Sequence, residues 1–309
     1  MLRRSLWSRA GRTFWSQAAE PVAEAIPPMS GTLEGQTCWV VGGAGQIGTG
    51  IVRGLLRAGA TVICNSRHQP RLKALAVELG HPEKLVSVHG SMMPDGAEAT
   101  VNTVLDLTAG QLDHVVAHSA VRWWGGHGPR ESSDETSTLE TLNIGTGLLD
   151  LSVEEFTSAA VALPQMQFAA ARLLVPRLMD VEGASYTFVT GGAGEEARSP
   201  LGQINAQAVW GLAAALRSEM RSTPLRVSEV RVGLRFNRPI EERRTDPREQ
   251  PLSHDVGTIC AGLAAAQEHD GWSNALHLLN SHDDVAEVKR QFPASDKGYP
   301  TFFNPEALF

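Results

Sequence analysis

Three glycines spaced three apart, Gly42, Gly45 and Gly48, stand in the stretch VVGGAGQIGTG between a β-rich run and a helical pattern. A turn of this kind suits one chemical task. A pyrophosphate has to approach the backbone at a helix N-terminus, where N–H groups and the positive end of the dipole attract it, and a Cβ would obstruct that approach or strain the turn. Gly42, Gly45, Gln46, Ile47 and Gly48 are the expected cradle of a dinucleotide. Units that bind NAD place an acid after the following strand, for the ribose 2′-hydroxyl. Here the chain reads Asn65, Ser66, Arg67, with no acid between Cys64 and Glu78. Ser66 by its hydroxyl and Arg67 by a charge-assisted fork suit a 2′-phosphate, which favours NADP (NADPH) over NAD.

The elements around these residues follow from their periodicity. Thr37 to Val41 is a short strand, Ile47, Ile51 and Leu55 recur every four residues as one face of a helix, and Gly59 ends that helix before a second strand, Thr61 to Cys64. This is a βαβ unit. Further β-rich runs lie at 85–89, 112–118, 185–190, 225–232 and 275–279, mostly with helical patterns between them. Right-handed crossovers build such an alternation into one parallel, doubly wound α/β sheet, a Rossmann fold. The expected organisation is a single domain over 35–283, a leader and linker over 1–34 and a tail over 284–309. The polar, Gly/Ser/Thr-rich segment 121–147 reads as an insertion over the carboxyl edge of the sheet, where ligands of this architecture bind.

Composition narrows the partners. With 309 residues, 27 basic and 34 acidic side chains and a formal net charge of −7, the chain has no general attraction for nucleic acid or an anionic membrane surface. No apolar run reaches the length that crosses a bilayer. Cys38, Cys64 and Cys260 lack metal-ligand spacing and read as buried free thiols, so no metal site is expected. The first residues differ from the rest: Arg3, Arg4, Arg9 and Arg12 alternate with Leu2, Leu6, Trp7, Phe14 and Trp15, and no acid precedes Glu20. That is the composition of an organelle transit peptide, read here as mitochondrial, with a chloroplast address as the alternative.

In order and spacing, a series of stretches resembles the short-chain dehydrogenase/reductase family over roughly residues 35–283. They are VVGGAGQIG, NSR, HSA (118–120) in place of Asn-Ala-Gly, SVEEFTSAAVALPQM as the fourth helix, YTFVTGGAG as the fifth strand, AVWGLAAALRSEM as the central helix and LRVSEVRVG as the sixth strand. The resemblance implies hydride transfer between NADP(H) and a carbonyl or alcohol, with His118, Ser119 and Ala120 beside the cofactor cleft. It also implies four catalytic roles: a Tyr as proton donor, a Lys four residues on that lowers its pKa, a Ser that orients the carbonyl and an Asn that positions a water relay.

Those roles are not filled. Aligning WGL of the central helix puts Gly202 at the Tyr position and Ala206 at the Lys position; the Ser falls near Thr190 or Gly191, and the Asn near Leu163. No shift of register helps, because the tyrosines are Tyr186 and Tyr299, the lysines are Lys73, Lys84, Lys289 and Lys297, and no Tyr-x-x-x-Lys pair exists. The chain reads as a divergent member, NADP(H)-binding and catalytically inactive, serving a structural or regulatory role in an organellar assembly or as a homo-oligomer. The alternative is an NADP-dependent oxidoreductase with a non-standard proton donor, for which His118 is the foremost candidate, ahead of His127, Glu195, Glu196 and Ser199.

Overall fold

A computed structural model describes residues 33–118, 148–192, 200–234, 253–266 and 275–291. The expectations for the leader, for Ser119, Ala120 and the 121–147 insertion, and for Glu195, Glu196 and Ser199 lie outside the described residues.

Strands β1 (Thr37–Val41), β2 (Thr61–Ser66), β3 (Leu85–His89), β4 (His114–Ala117), β5 (Ser185–Gly191), β6 (Arg226–Val232) and β7 (Leu276–Leu279) form one sheet in the order β3-β2-β1-β4-β5-β6-β7. Every pairing is parallel. The doubly wound architecture expected from the alternation is therefore the observed one. Strand β2 runs two residues beyond its apolar stretch, since Asn65 and Ser66 continue the register opposite Val88 and His89. The order reverses between β1 and β4, which opens a crevice at their carboxyl ends.

Helices cover both faces: α1 (Gln46–Arg57), α2 (Gln69–Glu78), α3 (Ala97–Leu107), α4 (Val153–Leu178), α5 (Pro200–Glu219), α6 (Ser253–Ala265) and α7 (His282–Gln291). One core layer joins Ile51, Leu55, Leu72, Leu75, Ile259 and Val230 under α1, α2 and α6; the other joins Trp39, Ile63, Leu174, Tyr186, Phe188 and Val209 under α3, α4 and α5. Burial on both faces is why the central strands read as continuous apolar runs. The fold continues past the boundary expected at residue 283, because Val285 and Val288 of α7 pack into the first layer.

Two contacts fix the helices that frame the crevice. Helix α1 meets α6 backbone to backbone: a Cβ at Gly50 would run into Ser253, and one at Gly54 into Gly257. At the other end of α6, buried Arg226 donates to the carbonyls of Leu263 at 2.6 Å and Ala264 at 2.8 Å, and to Gly183 O at 2.6 Å. A guanidinium there satisfies carbonyls that the helix end leaves open.

Candidate functional site

The glycine turn joins β1 to α1, and its three glycines answer to three different constraints. Gly42 has φ +75°, a left-handed conformation that costs glycine little. Gly45 precedes α1 in extended backbone (φ −97°, ψ 179°), and no atom lies within 4 Å of where its Cβ would stand. Gly48 sits against the backbone of Gly43, which a Cβ would strike. The expected cradle is thus formed: one glycine bends the chain, one leaves an open approach and one lets the helix close on the turn. No described side chain caps α1, and its first turn holds no acid to offset the positive end of the dipole.

Asn65, which the sequence reading passed over, holds this turn in place. Its Oδ1 accepts from Gly42 N–H at 3.2 Å and from Trp39 Nε1 at 3.0 Å, while its Nδ2 donates to Gly90 O at 3.2 Å. One buried amide therefore ties the ends of β1, β2 and β3 together. The available signal was a lone amide inside the apolar run TVICNS. Ser66 and Arg67 follow it at the carboxyl edge as expected. The Ser66 hydroxyl accepts from His68 N–H at 3.1 Å, Arg67 is exposed, and Arg67 O lies 2.9 Å from His89 Nε2.

Beside the turn lies a cavity of about 340 Å³ between α1 and α2, lined among others by Gly45, Gln46, Thr49, Arg71, Leu75 and Glu78. Arg71 borders it and Arg67 does not.

At the positions the resemblance assigns to catalysis, the side chains are inert or engaged. Gly202 and Ala206 are buried on α5. Leu163 is buried on α4, and its N–H donates at 3.1 Å to Oδ1 of Asn205, a wholly buried residue of α5. Thr190 donates its hydroxyl to Glu229 Oε1 at 2.9 Å. Glu229, also wholly buried, meets Arg217 Nη1 at 2.6 Å and Arg231 Nη2 at 2.9 Å. The Arg231 guanidinium in turn lies 3.8 Å from the ring centroid of Trp210, whose Nε1 donates to Gly191 O at 3.2 Å. This network pins α5 to the ends of β5 and β6. Its trace in the sequence is Glu229 and Arg231 two apart on one strand face, a placement unusual for charges in a buried strand.

His118, the foremost alternative proton donor, follows β4. Burial pushes its imidazole down to about 4, against a smaller opposing effect of its hydrogen bond to the backbone of Val189. It is neutral near pH 7 and carries no imidazolium proton to give there. The three cysteines are buried free thiols as expected, and burial raises Cys64 to about 12. Among the described residues, no group of His, Cys, Asp or Glu could hold a metal ion, and no helix is long and apolar enough to cross a membrane.

The fold and the turn together define a Rossmann-type α/β protein, similar in fold to solved short-chain dehydrogenases/reductases. Solved structures agree. A short-chain dehydrogenase of Pseudomonas syringae superposes with a TM-score of 0.61 at 18% identity, covering 82% of this chain and 98% of that one. A 3-ketoacyl-(acyl-carrier-protein) reductase of Brucella melitensis, complexed with NADH, gives 0.60 at 18%, covering 80% and 97%. A short-chain dehydrogenase/reductase of the glucose/ribitol dehydrogenase type from the same organism gives 0.60 at 18%, covering 81% and 97%. By sequence, the family described as NADP oxidoreductase, coenzyme F420-dependent, matches residues 39–112, the span from β1 to just before β4. No curated protein matches the chain.

Proposed function

We propose that this chain binds NADP(H) at the glycine turn without turning it over, and that it serves as a structural or regulatory component of an organellar assembly. The observation that carries the reading is a contrast between the glycine turn and α5. Gly42, Gly45 and Gly48 keep the geometry a pyrophosphate needs, while Gly202 and Ala206 offer no group that can donate or accept a proton. The remaining hydroxyl, on Thr190, is already donated to Glu229. General acid–base assistance is commonly worth about 10² to 10⁴ in rate, so its absence leaves binding as the main property of the site.

The match to an NADP oxidoreductase family over the first βαβ units supports a nicotinamide dinucleotide. The absence of any acid between Cys64 and Glu78, together with basic side chains after β2, supports the phosphorylated form. A carbonyl reductase using His118 is the weaker reading, since the imidazole is neutral near pH 7. Protein partners or a second copy have apolar surface to use: Val161 and Phe168 of α4 are 42% and 54% exposed, and Ala208 and Gly211 of α5 are exposed as well. The arginine-rich, acid-poor leader supports a mitochondrial address.

The test is a fluorescence titration of the full chain with NADPH and NADH, followed by incubation with a panel of aldehydes and ketones. Saturable NADPH binding that Gly45→Val removes, with no oxidation of the cofactor by any carbonyl, is the expected result. Steady oxidation that His118→Ala abolishes overturns it in favour of the reductase.

A further inference from the structure

We infer that Arg71, in the first turn of α2, is the residue that selects a phosphomonoester on the adenosine ribose of the bound dinucleotide, and that Arg67 is not. The inference rests on the dinucleotide reading above and adds to it the residue that sets cofactor choice.

The cavity beside the glycine turn runs along two helices that pack on the same face of the sheet. On α1 it is bordered by Gln46 and Thr49, and on α2 by Arg71, Leu75 and Glu78. Its charges are sorted along its length. Arg71 and Glu78 are seven residues apart, hence about 10 Å apart along the helix axis. At the far end Glu78 Oε1 lies 3.9 Å from Nη2 of buried Arg53, so that carboxylate has a local counter-charge. At the near end Arg71 stands across from the start of α1, and neither helix carries an acid in its first turn. The near end is therefore cationic and adjoins Gly45, where the space a Cβ would occupy is empty. A small anionic group extending from a dinucleotide on the glycine turn into this end would meet Arg71. A ribose phosphate is such a group, and the planar fork of Arg71 suits its oxygens.

Arg67 is placed differently. Exposed like Arg71, it does not border the cavity. The neighbouring Ser66 hydroxyl faces the N–H of His68.

The experiment measures dissociation constants of the full chain for NADPH and NADH by fluorescence, in the unmodified protein and in Arg71→Ala, Arg71→Lys and Arg67→Ala. NADPH is expected to bind more tightly than NADH. Arg71→Ala should weaken NADPH about tenfold or more, the loss of a charge-assisted fork, and leave NADH within about twofold. Arg71→Lys should fall between, keeping the charge and losing the fork, and Arg67→Ala should keep most of the discrimination. The inference is overturned if Arg71→Ala weakens both cofactors equally or neither, or if Arg67→Ala alone removes the preference. It is also overturned if inorganic phosphate saturates the Arg71 site while NADPH does not compete. Failure of the unmodified protein to bind either dinucleotide overturns the underlying reading instead, and the two failures are told apart by that first titration.

Discussion

Asn205 of α5 reaches into the backbone of α4 at Leu163. Its Oδ1 accepts from Leu163 N–H at 3.1 Å and its Nδ2 donates to Ala159 O at 2.8 Å, the two groups that form one rung of a regular helix. The same Nδ2 donates to Leu201 O at 2.9 Å. Pro164 follows directly, and a proline ring crowds the carbonyl one turn back, which loosens the ladder where the amide enters.

Asn205→Ala strips three buried backbone groups of this partner and should cost about 2–4 kcal/mol, since each buried group left unmet costs about 1–3 kcal/mol and part of the ladder can re-form. Asn205→Asp should also destabilise, because a carboxylate can receive Leu163 N–H but cannot donate to Ala159 O. Urea denaturation of the two variants checks both. A loss under 1 kcal/mol for the alanine variant would mean that α4 closes its own rung.

The glycines of the turn should separate into a binding class and a folding class. Gly45→Val adds atoms into open space and should leave the melting temperature nearly unchanged while abolishing dinucleotide binding. Gly48→Ala drives a Cβ into the Gly43 backbone and should destabilise by about 2–4 kcal/mol, more than the roughly 1 kcal/mol that alanine gains over glycine inside a helix. Melting curves beside titrations read out the two effects separately.

Tyr186 tests the cost of a stranded hydroxyl. Its ring packs 5.0 Å from Phe188 in the core, and its buried hydroxyl has no hydrogen-bond partner among the described residues. Tyr186→Phe keeps the ring and removes the unmet group, so stability should stay level or rise by about 1 kcal/mol. A clear destabilisation would reveal a partner for that hydroxyl.

Stability should fall as the pH drops below neutrality. Burial lowers His114 and His254 to about 3 and His118 and His277 to about 4, with nearby arginines adding to the effect for all but His118. In the unfolded chain a histidine titrates near 6.5. Between about 6.5 and 4 the unfolded state therefore binds protons that the folded state refuses, and each such histidine takes up to about 1.4 kcal/mol of stability per pH unit. Their contribution is whole above about 6.5 and declines below it. Urea midpoints at pH 7.5 and 5.0 check this, and a smaller difference is expected for His114→Gln.

The sheet, its order of elements and the glycine turn were legible because they rest on local signals: period-two and period-four apolar spacing, and small residues at fixed offsets. Gly202 and Ala206, which the family resemblance sets at its Tyr and Lys positions, lie buried on α5. Tertiary partnerships were not legible. Asn65 gathers backbone groups up to 25 residues away, and Glu229 gathers Thr190, Arg217 and Arg231 from three elements. In sequence, each is only a polar residue in an apolar run. The place of Arg71 on the cavity wall was hidden for a related reason: it depends on how two helices pack, while Arg67 stood at the position where a motif says to look. The end of the domain was missed because α7 is mostly charged, and its two buried valines came after the last strand.

The bond from Thr190 to Glu229 sets the cost of freeing that hydroxyl. Gly202→Tyr with Ala206→Lys would place on α5 the two groups that the family resemblance expects, yet the Thr190 hydroxyl would still be committed to a carboxylate that two guanidiniums neutralise. Freeing it means removing Glu229, which leaves Arg217 and Arg231 without their shared anion in a largely buried setting, a change expected to cost about 3–5 kcal/mol. Freeing the hydroxyl therefore passes through a less stable protein. The arrangement acts as a lock: a Tyr and a Lys added to α5 alone would leave Thr190 engaged, so acid–base chemistry that uses its hydroxyl requires several changes at once.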